Sequence, residues 1–176
     1  MKNFNLLVSS SRYNETNAKA ELWFTLLMCG DKYPIISDLE FSGLITALTS
    51  LNAKEVIQKI KNILNNDPNF FQYILKIIPI DFVCQSQPSI IKQIVQQNYK
   101  SFIDKNDTFR ITLKRRNHES INRNNLINTI AEKINNKVDL ENPNKIIRIE
   151  ILGNSCGITF LKPNDILKFK CKTSMD

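Results

Sequence analysis

Lys114-Arg115-Arg116-Asn117-His118 follows directly on a stretch, residues 108–114, in which Phe109, Ile111 and Leu113 alternate with Arg110, Thr112 and Lys114. Period-two alternation predicts a strand with one buried and one solvated face. Lys114 therefore falls on the solvent side, and the cations after it mark the strand's exit. Beyond lies a helical stripe, Leu126, Ile127, Ile130, Ala131 and Ile134, and then Val138-Asp139-Leu140-Glu141-Asn142-Pro143-Asn144-Lys145. That run reads as a helix exit and turn stiffened by Pro143, before a strand whose inner face is Ile147, Ile149 and Ile151. Gly153-Asn154-Ser155 predicts a turn into one more strand over residues 157–161. Upstream, Pro88 leads a helix carrying Ile90, Ile91, Ile94, Val95 and Phe102, since proline suits the first helical position.

The first half follows another order. Phe4, Leu6 and Val8 alternate with polar residues, after which Asn14 is placed to cap a helix with Leu22, Trp23, Leu26 and Leu27 at helical spacing, ending near Gly30. Residues 35–41 and 44–48, divided by Ser42-Gly43, read as a strand pair. A second helix follows, with Val56, Ile57, Ile60, Ile63 and Leu64 on one face, ended by Asn65-Asn66-Asp67-Pro68. Residues 73–84 supply a last strand. Strand, helix, strand, strand, helix, strand is the ferredoxin-like arrangement, so the fold class is α+β in two modules.

With 176 residues, 42% hydrophobic and 23% charged, the chain has the composition of a packed protein. Its net charge of +7 is unevenly placed: residues 1–107 hold 11 Lys and Arg against 10 Asp and Glu, residues 108–176 hold 13 against 7. The positive field thus sits in the second half and favours an anionic partner. Lys114, Arg115, Arg116 and Arg123 fall within ten residues with Glu119 as the only acid among them. Guanidinium groups match phosphate bidentately, and Asn117, His118, Asn122 and Asn124 add neutral groups suited to 2′-hydroxyls and base edges. That mixture fits RNA better than a membrane; a merely solvated strand end is the plainer alternative. His118, the single histidine, has no local nucleophile or triad partner and reads as an RNA contact or structural hydrogen bond rather than an acid or base. Gly153 and Gly157 either bring amides to a phosphate or make an ordinary hairpin. Trp23 reads as core, with base stacking as the alternative, and Arg12 as a helix entrance or a further phosphate contact.

Several classes are excluded. Cys29, Cys84, Cys156 and Cys171 form no C-x-x-C pair, so no metal site is expected. With only Gly30, Gly43, Gly153 and Gly157 there is no phosphate loop or dinucleotide turn, and no ATP, acetyl-CoA, S-adenosylmethionine or other cofactor is expected. The opening residues do not make a secretory signal. The longest apolar run, residues 73–83, is broken by Lys76, Pro79 and Asp81, so no membrane span is expected. These features suit a reduced cytoplasmic protein, by default a monomer.

Asn5-Leu6-Leu7-Val8-Ser9-Ser10-Ser11-Arg12 with Asn14-Glu15 and Ala20-Glu21-Leu22-Trp23 resembles the start of the stand-alone THUMP proteins that assist tRNA cytidine acetylation. Residues 88–161 resemble the THUMP domain itself through Lys114-Arg115-Arg116-Asn117, the run from Val138 to Lys145 and Gly153-Asn154-Ser155-Cys156-Gly157-Ile158. The resemblance implies a ferredoxin-like module over residues 1–84, a THUMP RNA-binding domain over 85–170, and binding of tRNA at its acceptor region and 3′ end. It also implies service as a non-catalytic adaptor to a separate RNA cytidine acetyltransferase. The candidate RNA contacts are then Lys114, Arg115, Arg116, Asn117, His118, Arg123, Asn124, Asn154, Gly157 and Arg12. About fifteen residues follow the last predicted strand, too few for a fused modifying domain, so the catalyst is expected on another polypeptide. The residues themselves leave open a recruiter for a different tRNA-modifying enzyme and a ferredoxin-like ligand-sensing or protein-interaction module. A nuclease with dispersed carboxylates lacks any ligand constellation.

Overall fold

In the computed structural model, which describes residues 3–116 and 121–169, the apolar segments build two separate sheets. The chain divides into one unit of Met1–Ile80 with Asp165–Asp176 and another of Asp81–Asn164.

The first unit contains β1 (Leu6–Ser10), α1 (Glu15–Met28), β2 (Ile35–Asp38), β3 (Leu44–Leu48), α2 (Ala53–Asn66) and β4 (Ile74–Pro79). Its strands lie in the order β2-β3-β1-β4, each neighbour antiparallel. This is the expected ferredoxin-like module. Leu6 and Val8 of β1 face α1 and α2, where Ala18, Leu22, Leu26, Val56, Ile57 and Ile60 close one apolar core. Asn52 starts α2 by accepting from the Lys54 and Glu55 amides, the ordinary capping arrangement. In α1 the buried arc is Ala18, Leu22, Thr25 and Leu26, not the expected stripe through Trp23, which is 50% exposed. Thr25 tolerates burial because its hydroxyl donates to the Glu21 carbonyl at 2.7 Å. With that polar group satisfied, the helix turns Trp23 outward.

Carboxylates fasten the loops of this unit. Glu21 accepts three backbone amides, from Gln72 (2.7 Å), Tyr73 (3.1 Å) and Ile74 (2.9 Å), and so fixes the entry to β4. Glu15 accepts the Gly43 amide at 2.5 Å and the Ser42 hydroxyl at 3.2 Å. Gly43 adopts φ +77°, and a Cβ there would meet the Ser10 carbonyl oxygen at 3.0 Å, so the β2–β3 turn requires glycine. Asp31, 1% exposed, accepts the Tyr33 amide (3.2 Å) and both the amide and the hydroxyl of Ser50 (3.1 Å each). Burial works to raise its pKa, but hydrogen bonds from Thr49, Tyr33 and Ser50 outweigh burial and hold it below its ordinary 3.8. A depressed folded pKa stabilises the fold above the unfolded value, and this contribution is lost as pH falls through the folded one. Asp31→Asn is therefore expected to lower stability at pH 7, with the deficit shrinking below pH 3.8; urea denaturation at pH 7 and at pH 3 checks it.

The second unit contains β5 (Phe82–Gln85), α3 (Pro88–Phe102), β6 (Phe109–Arg116), α4 (Arg123–Ala131), β7 (Lys145–Leu152) and β8 (Ser155–Leu161). The sheet order is β5-β8-β7-β6; β6 and β7 are parallel and the other pairs antiparallel. A parallel pair needs a crossover, which α4 supplies. Ile91, Val95 and Tyr99 of α3 and Leu126 and Ile130 of α4 cover one face of the sheet, against Ile147, Ile149 and Ile151. Phe102 stacks on Phe160 with centroids 4.7 Å apart, and Phe82 meets both edge-on. The stretch from Val138 to Lys145 is structural, as its composition suggested. Asp139 Oδ1 accepts the Glu141 and Asn142 amides, and Asn144 Oδ1 accepts the amide and hydroxyl of Thr108.

Two boundaries differ from the sequence reading. Residues 73–84 are not one strand but β4 and β5, in different sheets. The Ile80 amide still bonds Asn5 in the first unit (2.8 Å), whereas the Asp81 amide bonds Ile158 in the second (3.0 Å). The unit boundary thus falls at 80/81 rather than 84/85. After β8 the chain also returns: β9 (Leu167–Lys168) pairs with β4, and Phe169 packs on Phe71 with centroids 4.6 Å apart. Residues from 165 onward belong with the first unit, not with the module expected to reach residue 170.

Candidate nucleic-acid interface

Four segments of the second unit meet at one end of its sheet. β6 and β7 run level, the register closing at Arg116↔Leu152. The turn Gly153-Asn154, with Gly153 at φ +57°, leads into Ser155, which faces both Leu152 and Gln85. Backbone bonds tie the strand ends together: the Gly153 amide donates to Arg116 at 3.1 Å, and the Ser86 amide to Asn154 at 3.0 Å. Because α3 starts just after β5 and α4 just after β6, both helix N-termini lie at this end. Each carries the positive end of its peptide dipoles and amides with no partner inside the helix. The carboxyl ends of strands that feed crossover helices are where such sheets bind ligands.

The second half's positive charge is narrowed by what its basic residues already hold. Arg148, 8% exposed, pairs with Glu150 at 2.5 Å. Lys145 donates to the Phe102 carbonyl at 2.6 Å and lies 3.4 Å from Asp107. Arg110 donates to the Leu140 carbonyl at 3.0 Å. At the sheet end, Arg115 follows Leu113 on the helix side of β6, and its guanidinium donates to the Ile121 carbonyl. Arg123 returns the link, its Nε donating to the Leu113 carbonyl at 3.2 Å. These two arginines lace β6 to the start of α4. Lys114 and Arg116 point to the opposite face of the strand, and all four of these side chains are exposed.

Two clefts flank the first turn of α3. One, of about 480 Å³, is lined by Gln85, Ser86, Gln87 and Asn154. The other, of about 440 Å³, is lined by Pro88, Ser89 and Lys92 of α3 and by Ile121, Asn122, Asn125, Leu126 and Thr129 around α4. Among the described residues no three His, Cys, Asp or Glu converge as a metal would require, and no helix is long and apolar enough to cross a membrane.

Residues 84–161 match the THUMP domain family, a span that runs from β5 to the end of β8. This stretch is a THUMP domain. The chain is also 29% identical over 108 residues to the Drosophila melanogaster THUMP domain-containing protein 1 homolog, a match covering 58% of this chain and 33% of that one. It therefore spans about a third of that relative's length. Among solved structures, a Pyrococcus horikoshii protein superposes with a TM-score of 0.66 at 20% identity, over 91% of this chain and 55% of its own. A 4-thiouridine synthetase solved with RNA and ATP gives a TM-score of 0.54 at 13% identity, over 96% of this chain and 42% of its own. At such identities these two share the fold.

Within the THUMP domain the candidate residues separate. Lys114 and Arg116 lie on one face of β6; Arg115 on its other face and Arg123 at the start of α4 are exposed too but each bonds a backbone carbonyl, and Asn124 is exposed in the first turn of α4. Asn154 is exposed at the turn and lines the polar cleft. Gly157 is not in a turn at all: it is buried inside β8, facing Val83 on one side and Glu150 on the other. Its amide belongs to the sheet rather than to a phosphate. Arg12 is exposed but belongs to the first unit, and Asn117 and His118 lie outside the described residues. The sequence reading passed over Gln85, Ser86, Gln87 and Lys92. For Gln85, Ser86 and Gln87 the signal was present, three consecutive polar residues between an apolar run and the helix-starting Pro88, whereas Lys92 is one polar position within α3.

Proposed function

We propose that this protein is a non-catalytic adaptor that binds tRNA through its THUMP domain and presents the acceptor region and 3′ end to a separate modifying enzyme, an RNA cytidine acetyltransferase. The observation that carries this reading is the composition of the sheet end: exposed Lys114 and Arg116, two helix N-termini, and the neutral side chains of Asn124 and Asn154. Phosphate contacts of that kind orient RNA without reading sequence, and amides placed beside them suit exposed base edges and 2′-hydroxyls. The THUMP match, and an RNA-bound 4-thiouridine synthetase with the same fold, support RNA as the anionic partner over a membrane. The adaptor would act as a cytoplasmic monomer.

The test is binding of the full chain to intact tRNA and to the same tRNA trimmed of its single-stranded 3′ end, across a salt series. Preference for the intact end, with affinity falling as salt rises, is expected; equal or negligible binding of both would remove acceptor-end recognition. Nucleoside analysis of tRNA incubated with a cytidine acetyltransferase, with and without this protein, then tests the adaptor role. A 4-acetylcytidine yield that does not depend on the protein would direct the adaptor to a different enzyme.

A further inference from the structure

The pairing of β5 with β8 brings two thiols together. Cys84 lies directly opposite Cys156 in the antiparallel register that runs from Phe82↔Ile158 to Gln85↔Ser155. Side chains directly opposite one another share a face of the sheet, and both of these pack against the helix-covered core of the second unit. Cα atoms in such a pair stand about 4.5 to 5.5 Å apart, inside the span of about 4.4 to 6.8 Å that a disulfide bridges. Both cysteines are free thiols. The backbone is already placed to join them.

The two sulfurs differ in what reaches them. β5 is an outer strand of its sheet, and Cys84 on it is partly exposed; Cys156, on the inner strand β8, is 0% exposed. The thiols are hydrogen-bonded to each other. That bond lowers the Cys84 pKa below its ordinary 9.0, with burial working against it. The same bond raises the Cys156 pKa, and burial and the charges of Cys84 and Glu150 push it the same way. Cys84 is thus the sulfur that ionises first, with the Cys156 S–H donating to it. A thiolate is the form that attacks, and a reachable thiolate beside a second thiol is the arrangement of a redox-responsive pair. Cys29 makes the contrast: it is 3% exposed, and burial raises its pKa.

We propose that Cys84 and Cys156 are a peroxide-sensitive pair that closes to a disulfide in the folded protein and staples the first strand of the THUMP domain to its last. The Cys84 thiolate attacks one oxygen of hydrogen peroxide and the O–O bond breaks. This leaves a sulfenic acid on Cys84 and a hydroxide, which takes a proton from solvent to become water. The Cys156 sulfur then attacks the Cys84 sulfur, the S–O bond breaks, and the hydroxyl leaves with the Cys156 proton as a second water. Two thiols together give up two electrons and the peroxide accepts them; a dithiol reductant reverses the change. The bridge closes residues 84–156, nearly all of the span that matches the family, and a cross-link over so long a stretch stabilises chiefly by restricting the unfolded chain. None of this depends on the RNA reading.

The test treats the native full chain with hydrogen peroxide, alkylates the remaining thiols, and maps tryptic peptides by mass spectrometry. Cys84 and Cys156 fall in separate peptides, residues 77–92 and 149–162. These are expected to appear linked, lighter than their sum by the pair of hydrogens lost, and to separate on treatment with dithiothreitol, while Cys29 is recovered alkylated. The oxidised chain is expected to melt about 5 °C or more above the reduced one, and Cys84→Ser to show no such rise. Oxidation of Cys84 onward to a sulfinic acid with Cys156 still a thiol would overturn the proposal. So would a bridge from Cys84 to Cys171 or to a second chain, or a linked pair that forms only in urea. A linked pair without a rise in melting temperature would overturn the stapling role.

Discussion

Replacing Lys114 and Arg116 together by alanine is expected to weaken tRNA binding by about 30- to 100-fold at moderate salt, taking each charged contact as worth about 1 to 1.4 kcal/mol. Both side chains are exposed on one face of β6, so the melting temperature should hold. The slope of log affinity against log salt should flatten by about 0.7 to 0.9 for each phosphate contact removed. Arg115→Ala and Arg123→Ala are expected to behave differently. Their guanidinium groups brace the passage from β6 to α4 through the Ile121 and Leu113 carbonyls, and their loss should lower the melting temperature as well as affinity. Four cations that look equivalent in sequence are thus expected to split into two that contact and two that brace. Unaltered affinity and salt slope in a folded Lys114→Ala, Arg116→Ala protein would take this strand end out of the interface.

Glu21→Ala is expected to be the most damaging single change of a half-exposed residue, at about 2 kcal/mol or more. One carboxylate accepts the amides of Gln72, Tyr73 and Ile74. Removing it leaves three donors at the mouth of β4; the Gln72 amide is exposed and can turn to water, while each of the two partly buried donors left unmade costs about 1 kcal/mol or more. For a unit of this size that corresponds to a fall of about 10 °C or more in melting temperature. Glu21→Gln should lose roughly half as much, because one oxygen still accepts while the new NH₂ confronts a backbone amide. Thermal melts of the three proteins side by side give the answer, and equal melting temperatures would show that the loop is held by other contacts.

The elements of the chain were legible where one periodicity ran unopposed. Ile147, Ile149 and Ile151 are each fully buried, as strict alternation requires, and Val56, Ile57 and Ile60 fix the inner face of α2. Trp23 was misplaced because a large aromatic outweighs a small alanine and a threonine in any hydrophobic count, while the helix in fact buries Ala18 and Thr25. The run over residues 73–84 concealed a change of sheet, since an apolar run says nothing about which sheet it joins. β9 is two residues long and has no period to read. At the interface, composition revealed the cationic cluster, but not that Arg115 and Arg123 are turned back onto the fold. Gly157 was ambiguous for the opposite reason: a glycine inside a strand and a glycine in a turn look alike until the pairing is known.

The short return strand β9 changes the covalent status of the THUMP domain. Because residues 165–169 rejoin the sheet that residues 4–80 begin, the THUMP domain is an insertion held by two tethers, not a bead at the end of one. A single protease nick near Ile80 would leave the halves joined through Asn164, and separating them takes two cuts. A clone ended at Leu161, where the domain match stops, would keep the proposed interface of the THUMP domain yet strip β4 of its outer neighbour and Phe71 of Phe169. The bared edge of β4 would then be a template for pairing with another chain, so such a fragment should aggregate even though its THUMP domain is whole.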